Sequence, residues 1–162
     1  MTHTSHTENI LDNVKTFILA NLQTYLSGIL VLKGDSKDVS LDMFEDETIT
    51  IGSNDANKYD GSPIMLINPM ESKFEYLTLG QDKIEVLATI SIIVGGDKEE
   101  TLTKQCMRYG AALRNMIRAN ITFGNTVDEI SVDTIIYVNN ILGAPELSAV
   151  NVNVNIINDI NN

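Results

Sequence analysis

The sequence predicts an α+β fold: a mixed, mainly antiparallel sheet with two main helices packed on it and a long acidic loop. Three observations carry that prediction. An alternating strand runs from Ile84 to Val94, it leads through Gly95-Gly96-Asp97 into an amphipathic helix, and two more alternating strands follow before Asp159. Strand-helix-strand is flanked here by hairpins, and no repeat of solenoid or propeller length recurs, so the chain reads as one domain over 1–162. At 162 residues and 43% hydrophobic it is long enough to bury a continuous core without staples.

The elements follow in order. Ser5-His6-Thr7-Glu8 has the form of a capping box, and Leu11, Val14, Ile18, Leu22, Tyr25 and Ile29 recur every three or four residues, which predicts a helix docked by one stripe. Gly28 offers its stop near Ser27, leaving Ile29 to Leu32 as a short buried strand or a frayed helix end. From Gly34 to Gly61 the composition turns acidic, with Thr48-Ile49-Thr50-Ile51 reading as its one strand; loops this long are usually functional or become ordered on a partner. Pro63 to Ile67 has the continuous apolar character of a covered strand closed by Asn68-Pro69.

Phe74 to Leu79 alternates, Gly80-Gln81-Asp82 turns, and Ile84, Val86, Ala88, Ile90, Ile92 and Val94 form one apolar face, which predicts a hairpin. Asp97 with Glu100 caps a helix whose stripe is Leu102, Cys106, Tyr109, Leu113, Met116 and Asn120, ending near Gly124-Asn125. Asn120, the polar member of the stripe, suits a fraying end. Ile130, Val132, Thr134, Ile136 and Val138 make one face of the next strand, and the chain turns between Asn139 and Leu147. The last strand places Val150, Val152, Val154 and Ile156 inward and Asn151, Asn153 and Asn155 outward.

A net charge of −11, from 22 acidic and 11 basic side chains, repels phosphate backbones and anionic lipids. It disfavours a nucleic-acid or membrane binder, but suits a channel wall that DNA must pass without sticking. The single cysteine and the polar residues after Met1 read as a protein made in a reducing cytoplasm, and its longest apolar runs fall far short of the roughly 18 residues of a spanning helix, so it is expected to be soluble.

Catalytic and metal motifs are wanting. His3 and His6 are N-terminal, so Ser-His-Asp, Cys-His and zinc arrangements lack their partners, and Cys106 falls on a buried stripe. Asp55 to Gly61 departs from calcium-loop spacing and reads as a turn, the acids from Asp35 to Glu47 read as a solvated loop, and Gly95-Gly96 lacks the rest of a phosphate loop. No cofactor is implied.

The arginines carry more signal. Arg108, Arg114 and Arg118 all lie on the second long helix and, with Lys104, fall opposite its apolar stripe. Such a face is a natural mate for acidic groups such as Asp42, Glu45 and Asp46 of a neighbouring copy; it is equally a face of ordinary surface pairs, Glu100 to Lys104 among them. The asparagine row either meets water or lines a shared surface, and at a sheet edge its strand would invite pairing.

This order of elements is that of a capped helix, an acidic region, a strand with Pro63, a long strand ending in Gly95-Gly96-Asp97-Lys98-Glu99-Glu100, a helix with Tyr109, then Asn120-Ile121 and two closing strands. It resembles the tail terminator (tail completion) proteins of tailed bacteriophages. The resemblance spans most of the chain and rests on element order, not on a diagnostic motif.

What it implies is a structural virion subunit, made in the host cytoplasm, that forms a ring, usually hexameric, on the head-proximal end of the tail tube. It would touch itself, the tail tube protein and neck or connector proteins, with a sheath or neck protein as candidates for the acidic loop, while DNA only passes through the lumen. The ring would stop polymerisation and offer the docking surface for the neck, with no enzymatic step and no membrane. The alternatives are another neck or connector component and, from a different class, a small-molecule-binding or hydrolytic domain using the acidic loop.

Overall fold

A computed structural model describes residues 6–35, 38–52, 62–139, 141 and 146–161. The expectations resting on His3, Ser5, Asp55 to Gly61, Gly143 and Pro145 lie outside these residues. Helix α1 (His6–Lys33) is followed by a 3-10 turn (Asp46–Thr48), strands β1 (Ile49–Ile51), β2 (Ile64–Thr78) and β3 (Gln81–Gly95), helix α2 (Glu99–Ala119), and strands β4 (Glu129–Asn139) and β5 (Leu147–Asn161). The sheet runs β1-β2-β3-β5-β4, with β1 parallel to β2 and every other pairing antiparallel. The fold class is α+β, as the sequence predicts.

Both helices lie on one side of the sheet. Ile84, Val86, Ile90, Ile92 and Val94 of β3 and Val150, Val152, Val154 and Ile156 of β5 are sealed beneath them at 0–1% exposure, each such aliphatic side chain contributing about 1.5–3 kcal/mol. From above, Leu11, Val14, Ile18, Leu22 and Leu26 of α1 and Leu102, Cys106, Tyr109, Leu113 and Met116 of α2 complete the core. Gly110 lets α2 approach the sheet closely: a Cβ there would stand 3.1 Å from Val150 Cγ2.

Several expectations are corrected. α1 does not stop at Gly28; it runs on to Lys33 and is capped by Gly34 at φ +67°, whose amide donates to the Leu30 carbonyl at 3.0 Å. Asn68-Pro69 does not close a strand, since β2 continues through it with a bulge at Met70. Pro69, with no amide to offer, stands where β1 no longer flanks β2. The hairpin turn is Leu79-Gly80, Gly80 taking φ +83°, and Gln81 already belongs to β3. Helix α2 starts at Glu99 behind Lys98, which makes no side-chain cap, and ends at Ala119.

Asn120 is not a fraying end. Its Nδ2 donates to Tyr25 Oη at 3.0 Å and to the Met116 carbonyl at 2.9 Å, tying α2 to α1. The turn beyond buries Phe123, at φ +43°, and stacks its ring on Phe17 with centroids 4.2 Å apart. In β4 an extra residue, Asp133, separates Val132 from Thr134, so the faces exchange midway: Ile135 packs against the core, whereas Thr134, Ile136 and Val138 turn away from the helices.

Candidate functional site

The basic residues of α2 do not form one surface. Arg108 is only 7% exposed, and its guanidinium donates twice to Asp35, Nη1 to Oδ1 at 2.7 Å and Nη2 to Oδ2 at 2.8 Å. That hydrogen-bonded pairing holds the Asp35 carboxyl below its ordinary value and raises the guanidinium's. The extension of α1 past Gly28 brings Asp35 to Arg108. Lys104 pairs with Glu100 at 3.0 Å. Arg114 and Arg118 remain exposed, with no ion-pair partner among the described residues. They flank a cleft of about 210 Å³ floored by Ile117, Ile121 and Val132 beside the sheet edge at β4.

The acidic candidates sit on a strap, and its described part is anchored across both helices. Val39 and Leu41 are buried, Gln105 Nε2 donates to the Ser40 carbonyl at 2.9 Å, Tyr109 Oη donates to the Asp42 carbonyl at 3.1 Å, and Phe44 meets the Tyr109 ring edge-on. Asp46 pairs with Lys15 at 3.1 Å, and Glu45 caps the 3-10 turn with Thr48. The reading of 38–48 as a freely solvated loop is therefore corrected: apolar residues interspersed among the acids pin it. Asp42 and Glu45 have exposed or accessible side chains at its surface.

The asparagine row lies in the interior of the sheet, not at an edge, because β5 is flanked by β3 and β4. On the side away from the helices, Asn153 bridges neighbouring strands: Thr89 Oγ1 donates to its Oδ1 at 2.7 Å and its Nδ2 donates to Thr134 Oγ1 at 2.8 Å. Asn155 Nδ2 donates to Glu85 at 2.8 Å, and its Oδ1 is buried without a partner among the described residues. Asn151 stands opposite Ser91 and Ile136. This face, which no described helix covers, is graded along the strands, from Ile64, Leu66, Ile93 and Val138 at one end, through the Asn-Thr band, to Lys73, Lys83 and Glu85 at the other.

Two surfaces were not anticipated. Beyond Ser72, whose hydroxyl lies 2.9 Å from that of Thr7 at the start of α1, the β2–β3 hairpin extends without helical cover among the described residues. Phe74 there is 60% exposed, Tyr76 87%, and Leu79 fully. At the other end of α1, Ile29, Leu32, Met107 and Ala111 line a groove of about 390 Å³ rimmed by Lys33 and Lys104. The available signals were the apolar pair Leu77 and Leu79 beside a turn glycine, and Val31-Leu32 outside any core stripe.

Reactive chemistry is sparse. Burial pushes the Cys106 thiol up to about 11, so it stays protonated and inert at neutral pH. Among the described residues no three His, Cys, Asp or Glu side chains converge as metal ligands. α1 is long and apolar enough in composition to cross a bilayer, but one face of it lies against the sheet. Neither the models of known protein families nor the curated proteins match this chain.

Proposed function

We propose that the chain is a structural subunit that assembles side by side into a ring at the head-proximal end of a phage tail tube, ending tube growth and presenting the surface on which the neck docks. The observation that carries assembly is the uncovered hairpin. Phe74, Tyr76, Leu77 and Leu79 project past the helical layer on a two-stranded ribbon, where apolar side chains held in water mark an interaction site. The position at a tail end rests on the element order, which is similar to that of tail terminator proteins.

Electrostatics favours the same reading. At −11 per copy, neighbours repel unless cations stand at the seam, and Arg114 and Arg118 are exposed and uncommitted among the described residues. A lumen of such subunits would let a polyanion pass without adhering. Arg108 plays no part in the seam, being used inside the subunit by Asp35. Native mass measurement, with electron microscopy of tail tubes incubated with the protein, tests the proposal. A closed ring, free or seated on tube ends, is expected; a ligand-saturable monomer that ignores tubes would overturn it.

A further inference from the structure

We infer that the hairpin tip of one copy seats in the groove between the end of α1 and the start of α2 of the next copy. The inference rests on the self-assembly proposed above, but not on where the assembly sits.

The two surfaces lie at opposite ends of the subunit. α1 begins beside Ser72, at the foot of the free hairpin, and 28 residues at about 1.5 Å each carry its other end some 40 Å away. β3 runs from the hairpin turn toward that same far end, and α2 starts shortly after it. The Asp35–Arg108 pair then pins the end of α1 to α2 and holds the groove open between them. A knob and a groove so far apart cannot meet within one chain.

Their chemistry matches. Tyr76, Leu77 and Leu79 are exposed at the tip, and Leu32 and Met107, 85% and 46% exposed, offer apolar surface at the groove. The groove's rim carries Lys33 and Lys104, the latter also reached by Glu100 at 3.0 Å, with Arg108 already held by Asp35, and no carboxylate lines the groove itself among the described residues. The hairpin from Glu71 to Glu85 carries four carboxylates, Glu71, Glu75, Asp82 and Glu85, against Lys73 and Lys83. An acid-flanked apolar tip therefore faces a basic-rimmed apolar slot, the complement that two copies of an acidic protein need. One surface meeting a different one is a heterologous contact, which propagates to a closed ring or an open chain.

Two variants test it, Leu77→Ser with Leu79→Ser at the tip and Leu32→Glu with Met107→Glu in the groove; melting curves of both should match the wild type, since all four side chains are exposed. By native mass, each variant alone is expected to be monomeric where the wild type forms assemblies of several copies. Their equimolar mixture should yield 1:1 dimers and nothing larger, because one intact tip and one intact groove remain per pair. A variant that assembles as the wild type does, or a mixture that stays monomeric, overturns the contact while leaving a wild-type ring standing. Tip-dependent open chains that never close or reach tube ends would support the contact and overturn the ring. A wild type that stays monomeric at high concentration overturns both.

Discussion

A guanidinium sealed from water needs a carboxylate, and at Arg108 the structure supplies Asp35 through two short hydrogen bonds. Because the partner depresses the Asp35 pKa, the pair's contribution to stability is complete above the ordinary carboxylate value of 3.8 and is lost as pH falls below it. Asp35→Asn is therefore expected to melt earlier than wild type at pH 7, with the difference shrinking in acid; equal melting temperatures at both pH values would contradict this. Cys106 offers the contrasting case, a thiol that burial alone removes from chemistry. The sequence marked both residues, but only for Cys106 did its helical stripe reveal the environment. The partner of buried Arg108 lies 73 positions earlier in the chain.

At the scale of elements, strand alternation was legible wherever one face is covered: β3 and β5 keep the expected inward residues throughout. It failed in β4, where Asp133 adds one residue and reverses the faces beyond it, and periodicity read from one strand cannot see a bulge defined by its partner. Helix ends were less legible. The sequence offered Gly28 as the stop, whereas α1 runs on to Lys33 and its end packs against the first half of α2, where Asp35 pairs with Arg108. Gly28 is thus an interior helical glycine, and a Cβ there would meet nothing within 4 Å. Gly28→Ala is expected to stabilise the protein by about 0.5–1 kcal/mol, read from the urea midpoint; destabilisation would mean the helix breaks there after all.

For the whole molecule, the described residues of the two-layer build leave a sheet face, a hairpin and a groove without cover, and the proposed ring uses such surfaces. The candidate electrostatic seam narrows from the basic helix as a whole to Arg114 and Arg118. Reversing both to glutamate is expected to weaken assembly by about tenfold at low salt, close to 1.4 kcal/mol, and to flatten the salt dependence of dissociation. Sedimentation across a salt series checks this, and an unchanged profile would remove these arginines from the seam. The acidic strap, read from composition as a partner-binding loop, is in its described part largely engaged with its own helices through Val39, Leu41, Phe44 and Asp46.

Local pattern alone determined that this chain has an α+β fold, with a hairpin into α2 and two closing strands, and that its charge is strongly negative. These properties repeat every two or four residues, or simply sum over the chain. Tertiary structure decided where α1 ends, that β5 is interior, that Arg108 is buried and paired, and which apolar residues stay uncovered. Each of those depends on contacts between residues tens of positions apart, such as Thr7 with Ser72 and Asp35 with Arg108, and a periodicity confined to one segment holds no record of them.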